Sequence, residues 1–362
     1  MSSLLSEPYL IAETFLVSFL ITVISIPSII KVAELKQLFD EPNERTVHDK
    51  KIPTLGGMAI FSGFTVSALL FSDFQQIPEL KYILAATVIL FFVGIKDDIL
   101  IIAPLTKLLG QILAVSIIAF FSDLQLTDLH GFFGIHHIPP YIGIPLTIFV
   151  YLVIVNGFNL IDGIDGLSAG IGVAAASTLG IWFYLVKEYQ YALLSASVIG
   201  ALTGFLRYNV FSKKNKIFMG DTGSLILGLV ISVLIVKFNE MNIQHDFKHA
   251  KYAAPAISIA ILTVPLYDTL RVMFIRFFQR KPLFKPDKQH IHHVLIETGL
   301  SHKQAVLILV LINLGFSVAA MYLHNYMGIR RLILVLLLSA MIIFYIPILF
   351  LNLKKKKNNR LK

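Results

Sequence analysis

The 362-residue chain contains no cysteine, has a single tryptophan, and is only 15% charged. Without cysteine there is no disulfide framework and no thiolate metal site. A soluble protein carries about 25% charged residues. This chain has too few to cover a water-facing surface, which excludes the two or so soluble domains its length would otherwise suggest. Basic residues are also missing ahead of the first apolar run, roughly Tyr9 to Ile30. A secretory leader needs a positive n-region and a shorter apolar core, so this run reads as a first span retained in the mature protein. No internal repeat is evident, so the inverted-repeat signature of many transporters is not visible. No long soluble domain interrupts the chain.

What the chain has instead is apolar sequence: 56% of residues are hydrophobic and the mean hydropathy is +0.76. A span needs about 20 mostly apolar residues. Eleven candidates lie at roughly 9–30, 54–74, 80–96, 104–122, 140–158, 166–186, 190–207, 222–238, 253–275, 304–323 and 331–352. The fold class expected is therefore an all-α polytopic membrane protein, a single integral membrane domain over 1–362. With the N-terminus outside, the inside segments hold 24 of the 31 Lys and Arg residues. That asymmetry predicts N-out and C-in, and the basic tail 353–362 argues separately for a cytoplasmic C-terminus. The formal net charge of +9 raises nucleic acid as a partner. The basic residues sit in loops where topology demands them, so no nucleic acid is expected and the lipid bilayer is the partner. Cytoplasmic loops are expected at 31–53, 96–107, 207–221 and 276–303. The first and last exceed the usual 2–8 residue connection between bundled helices.

Of 22 acidic residues, six lie in or beside apolar sequence: Asp97, Asp98, Asp162, Asp165, Asp221 and Asp268. Ionisable groups in such places are costly and default to functional candidates. On the expected topology all six fall on one face. Asp97-Asp98 closes the third span. The two carboxylates repel each other at a helix C-terminus, where the macrodipole already disfavours negative charge. A bound divalent cation would relieve both penalties; a solvated helix end beside Lys96 is the plainer alternative. In Asn156-Gly-Phe-Asn-Leu-Ile-Asp-Gly-Ile-Asp-Gly-Leu, a helical turn would put Asn159, Asp162 and Asp165 on one face. A polar turn with one Asp capping the next helix explains only part of that set. Asp221, in Phe218-Met-Gly-Asp-Thr-Gly-Ser, could be an N-cap of the eighth span. Asp268, in Pro265-Leu-Tyr-Asp-Thr-Leu-Arg, could pair with Arg271 at i,i+3.

His290-Ile-His-His293 lies near Arg280, Lys281, Lys285 and Lys288. Its spacing is not that of a zinc helix, and a phosphate contact suits it better. Mg²⁺ takes carboxylate oxygens and substrate phosphates, and phosphoryl transfer needs mostly positioning and charge neutralisation. Gly56-Gly57, opening the second span after Pro53-Thr-Leu, offers backbone N–H groups that could meet an anion. Lys50 and Lys51 read equally well as topology markers.

Asp97-Asp98, the Asn156–Gly166 stretch, Phe218-Met-Gly-Asp-Thr-Gly-Ser and His290-Ile-His-His recur in this order in the polyprenyl-phosphate N-acetylhexosamine-1-phosphate transferases. Over residues 40–303 the chain resembles that family. The resemblance implies a Mg²⁺-dependent exchange, with Mn²⁺ as a substitute, at the cytoplasmic face of the bacterial inner membrane. Undecaprenyl phosphate attacks the β-phosphate of a UDP-N-acetylhexosamine, giving the lipid diphosphate sugar and UMP. It further implies Asp97, Asp98, Asp162 and Asp165 as catalytic carboxylates, and Asp221 with Asp98 as metal ligands. Asn159, His290, His292, His293, Lys107 and Lys51 would bind substrate, and a homodimer is the family's expected assembly. Asp268 falls to an ion-pair or supporting residue. His-Ile-His-His looks like the branch that uses UDP-GlcNAc in starting cell-envelope polysaccharides. The phospho-MurNAc-pentapeptide branch of peptidoglycan synthesis typically reads His-His-His-Phe. From another class, a proton- or cation-coupled transporter would place its carboxylates at mid-membrane depth.

Overall fold

The computed structural model describes residues 7–38, 52–100, 102–244, 248–280 and 290–360, the side chains of 355–360 excepted. Among these residues the regular structure is helical throughout, apart from one 3₁₀ turn at Phe132–Gly134. The helices are α1 (Glu7–Lys36), α2 (Gly56–Phe71), α3 (Leu80–Leu100), α4 (Pro104–Phe121), α5 (Pro140–Ile161), α6 (Leu167–Leu185) and α7 (Tyr189–Asn209). They continue as α8 (Gly220–Met241), α9 (Ala254–Ile261), α10 (Thr263–Phe278), α11 (Ile291–Glu297), α12 (His302–Leu323) and α13 (Ile329–Arg360).

Each of the eleven apolar segments expected from sequence coincides with one of these helices, the ninth with the pair α9–α10. By length and composition, eight of the described helices can cross a membrane, or nine if the bent pair is one span. The difference has two sources. α2 has 16 residues, about 24 Å at 1.5 Å per residue, against a hydrocarbon core of about 30 Å. α3 is long enough but ends in Lys96, Asp97 and Asp98.

The pair α9–α10 bends by 79°. Pro265 has no N–H to return to Ile261, and its ring crowds that carbonyl. The groups freed by the break are satisfied by Asn313 of α12. Its amide donates to the Ile261 carbonyl at 2.9 Å, and its carbonyl oxygen accepts from Val264 N at 3.2 Å. In a membrane a broken helix persists where a neighbour re-pairs it in this way.

α8 is the axis of the bundle. It is apolar all round, and 89% of its apolar stretch is buried, against 22–28% for α1, α4, α12 and α13. A helix apolar on every side belongs inside such a bundle. It touches α2, α3, α5 and α6, so the N-terminus of α8 is where these helices end together. Close approach is enforced at one point in particular. A Cβ at Gly57 would lie 2.2 Å from Gly223 N, so α2 and α8 cross backbone to backbone, the contact small residues permit in membrane bundles.

Candidate active site

The chain entering α8 runs beside the chain entering α2. Phe218 N donates to Pro53 O at 2.8 Å, Gly56 N to Phe218 O at 2.9 Å, and Gly57 N to Met219 O at 2.8 Å. This corrects one expectation: the Gly56-Gly57 amides are not free to meet an anion, because they hold the α8 entry in place.

That pairing delivers the first turn of α8 to the last turn of α3. Met219, at the N-cap position, supplies no side-chain cap, and Asp98 caps α8 from outside. Its Oδ1 accepts from Asp221 N at 2.6 Å. Its Oδ2 accepts from Thr222 N at 3.0 Å and from the Thr222 hydroxyl at 2.5 Å. The carboxylate therefore sits on the positive end of the α8 dipole. Gly220 makes this possible. Its φ is +71°, and a Cβ there would lie 2.2 Å from Thr54 O and 2.6 Å from Asp98 Oδ1. The left-handed backbone and the close approach both favour glycine.

Asp97 is held differently. Its Oδ1 accepts from Ile102 N at 2.8 Å, which folds the short connection into α4 and turns Lys107 back toward α3. The Lys107 Nζ lies 3.0 Å from Asp97 Oδ2 and 2.7 Å from Asp221 Oδ1. It also donates to Asn159 Oδ1 at 3.3 Å. Asn159, on the last turn of α5, donates through its amide to Asp221 and to Ser224 Oγ at 2.9 Å. One ammonium thus joins α3, α4, α5 and α8. The repulsion read from Asp97-Asp98 is relieved within the protein, by Lys107 on one carboxylate and by the α8 N-terminus on the other.

Asp162 follows directly on α5, its backbone N–H donating to Asn159 O at 3.4 Å, and its carboxylate makes no hydrogen bond or ion pair among the described residues. Burial, then the charges of Asp221, Asp98 and Asp165, pushes its carboxyl well above the usual range. Asp165, expected on the same face, is drawn to another partner: Lys216 Nζ lies 2.6 Å from its Oδ2. Lys107 thus pairs with Asp97 and Asp221 alone, and with Asp98 and Asp162 the group retains excess negative charge. Its donors are all hard oxygens, the type that suits Mg²⁺. An unpartnered carboxylate beside three others fits such a cation in charge and chemistry. Among the described residues, no three acidic or imidazole groups converge closely enough to hold an ion as they stand.

The histidines arrive from the far side of the sequence. Asp268 on α10, fully buried, anchors them. Its Oδ2 lies 2.8 Å from His290 Nδ1, and its Oδ1 accepts from Ile291 N at 2.9 Å and from Arg271 Nη2 at 3.0 Å. The expected ion pair with Arg271 is present, and it also fixes the start of α11. His292 is 1% exposed and stacks on His290 with ring centroids 5.7 Å apart. Its ring lies over Gly163, where a Cβ would come 2.7 Å from Nε2, so the histidine segment meets the Asn156–Gly166 stretch. Burial, then the charge of His293, pushes His292 down to about 3, so the ring is neutral. Neither of its nitrogens has a hydrogen-bond partner among the described residues. The His293 ring packs against that of His292, centroids 4.3 Å apart and tilted by 46°. Lys51, with Lys50, lies outside the described residues, as do Lys281, Lys285 and Lys288.

Two contributors went unread in the sequence. Thr222 lies inside a motif singled out for its neighbour Asp221, and its hydroxyl was given no role. Lys216 was counted only as a topology marker, and nothing in local spacing links it to Asp165, 51 positions away.

Residues 80–239 match the family model described as glycosyl transferase family 4. The chain is 35% identical, over 87% of its length and 85% of the relative's, to a Bacillus subtilis (strain 168) protein named "Probable undecaprenyl-phosphate N-acetylglucosaminyl 1-phosphate transferase". It is 31% identical to the Yersinia pestis undecaprenyl-phosphate alpha-N-acetylglucosaminyl 1-phosphate transferase, over 80% of this chain and 77% of that one. The Escherichia coli O157:H7 protein of that name is 29% identical over 92% and 90% of the two chains.

Proposed function

Because the chain belongs to glycosyl transferase family 4, we propose that it transfers N-acetylglucosamine 1-phosphate from UDP-GlcNAc to undecaprenyl phosphate. An oxygen of the lipid phosphate attacks the β-phosphorus of the nucleotide sugar, a new phosphoanhydride forms, and the bond to UMP breaks. The observation that carries this reading is the junction of Asp97, Asp98, Asn159 and Asp221 around Lys107 at helix ends. A transporter would need such groups at mid-span with access from both sides. Here Asp98 ends α3, Lys107 and Asp221 begin α4 and α8, and Asn159 ends α5. The names of the relatives give no support to the phospho-MurNAc-pentapeptide alternative.

Phosphoryl transfer is served by positioning and by neutralising charge. Lys107 offers its ammonium to a phosphate that displaces it from Asp97 or Asp221. Asp98 holds the α8 N-terminus and so fixes the position of Asp221. His292, neutral and with both nitrogens unengaged, hydrogen-bonds the diphosphate or the sugar. Mg²⁺, or Mn²⁺ in its place, would bind oxygens of Asp221, Asp98 and Asp162 and supply charge neutralisation to the diphosphate. The arrangement we favour has eleven spans, the N-terminus outside, and the site at the cytoplasmic face of the bacterial inner membrane. The lipid phosphate enters from the bilayer and the nucleotide from the cytosol. Homodimers are the assembly we propose.

The test is UMP release by purified protein from a panel of UDP-sugars with undecaprenyl phosphate and Mg²⁺. Release with UDP-GlcNAc and formation of the lipid product are expected. No release with any UDP-sugar removes the proposal, and release only with UDP-MurNAc-pentapeptide transfers it to the other branch.

A further inference from the structure

The opposite end of the bundle carries a second polar site. α8 ends at Met241 and α12 at Leu323, and the 22 residues of α12 put this end about 33 Å from the histidine segment. Here the chain entering α9 meets the turn between α12 and α13, around a cavity of ≈330 Å³ lined by Tyr252, His324, Asn325 and Tyr326 among others. His324 is only 5% exposed, yet its Nδ1 has no hydrogen-bond partner among the described residues. Its Nε2 lies 3.3 Å from Lys251 Nζ. Lys251 is itself fixed, its backbone N donating to Asn242 Oδ1 at 2.5 Å, and it has no carboxylate partner among the described residues.

The chemistry of this pair is one-sided. An ammonium only donates, so Nε2 accepts and Nδ1 carries the proton. Burial, then the Lys251 charge, pushes His324 down to about 4, which keeps the ring neutral with one N–H. The remaining Lys251 ammonium protons and the His324 Nδ1–H thus have no acceptor among the described residues. A buried donor left unmade is costly, and an oxyanion would satisfy both residues. The charge around the cavity has the same sign. Only seven Lys or Arg residues lie outside the expected inside segments, and four of them, Lys248, Lys251, Arg330 and Arg331, flank these two segments. Tyr252 and Tyr326 stand exposed at 57% and 68%, as aromatic residues do at headgroup level.

We propose that the cavity lined by His324 and Tyr252, with the Lys251 ammonium beside His324, is a phosphate-binding site, filled by an anionic lipid headgroup or by free phosphate, at the end of the bundle remote from the transferase site. The phosphate accepts from the Lys251 ammonium and from His324 Nδ1, with Arg330 and Arg331 adding attraction at longer range.

The test uses full-length protein, delipidated in a mild detergent, titrated with inorganic phosphate and, separately, with short-chain phosphatidylglycerol. Sodium chloride at matched ionic strength is the control. Binding is read as a rise in Tm and, for the lipid, as a retained adduct in native mass spectrometry. Wild-type protein is expected to respond to at least one probe, and Lys251→Gln and His324→Phe each to weaken that response by about tenfold or more. A response to the lipid alone assigns the headgroup, and an equal response to inorganic phosphate assigns the free ion. Lys251→Gln keeps the test open if His324→Phe fails to fold. The proposal is overturned if neither probe acts on wild type, if chloride acts equally, or if the folded variants respond as wild type does. None of these readings depends on the transferase reaction.

Discussion

Asp98 Oδ1 accepts the backbone N–H of Asp221 at 2.6 Å, so the acid that ends α3 is the cap of the helix whose first turn carries a second acid. Position and charge are thereby coupled. Asp98→Asn keeps an acceptor for one N–H and loses the charge; Asp98→Ala loses both. We expect UMP release to fall by at least ~100-fold in either variant. Loss of the cap should cost about 1 kcal/mol, so only Asp98→Ala should show a clearly lowered Tm. Near wild-type turnover in Asp98→Asn would show that the carboxylate serves the fold alone.

Gly220→Ala tests the same junction from the backbone. With φ at +71° and a Cβ 2.2 Å from Thr54 O, the substitution displaces the α8 entry and Asp98 together. A Tm drop and loss of UMP release are expected. Gly315→Ala is the control, because nothing lies within 4 Å of a Cβ there. It should leave both properties unchanged.

Lys107 is the ammonium shared by Asp97 and Asp221. In Lys107→Met those carboxylates face each other without a counter-charge. UMP release should fall by about 100-fold or more, and Mg²⁺ should raise the Tm of the variant further than that of wild type. If Mg²⁺ leaves both melting curves unmoved, the carboxylates do not hold the cation.

Asp162 predicts a trade between stability and activity. Its folded carboxyl is raised above the ordinary value. Its contribution is therefore fully present below the unfolded value and is lost as pH climbs through the folded one. At neutral pH, in EDTA, Asp162→Asn removes that penalty. The Tm should rise by ~2 °C while UMP release disappears. The Tm difference should shrink as pH is lowered, and a variant that melts earlier at neutral pH contradicts the assignment.

The length of the apolar runs located every long helix among the described residues, because burial in lipid or in a bundle leaves a composition that local sequence records. Motif residues were legible for the same local reason: Asp162 and Asn159 sit on one turn, and Asp97 adjoins Asp98. What escaped was pairing at long range. Lys216 with Asp165, Asn313 with the break at Leu262, and Asp268 with His290 join helices distant in sequence, and no spacing rule connects them. The cation argument for Asp97-Asp98 rested on treating α3 as a lone helix. Once α4 and α8 are in place, Lys107 and a helix N-terminus take much of that charge, and Asp162 emerges as the carboxylate left over.

The junction also sets an order of events during synthesis. Asp98 and Thr222 lie 124 positions apart. At about 5–20 residues per second, a ribosome needs roughly 6 to 25 seconds to reach the second after making the first. For that interval α3 ends in two acids with no α8 to receive them, at a membrane surface, beside a newly made Lys107. Arrival of α8 gives Asp98 its partners and fills the middle of the bundle, and the histidine segment joins them later in synthesis. A chain stalled before Gly220 can pack α1, α2, α6 and α7 together, but it lacks the junction of α3, α4, α5 and α8 on which the chemistry depends.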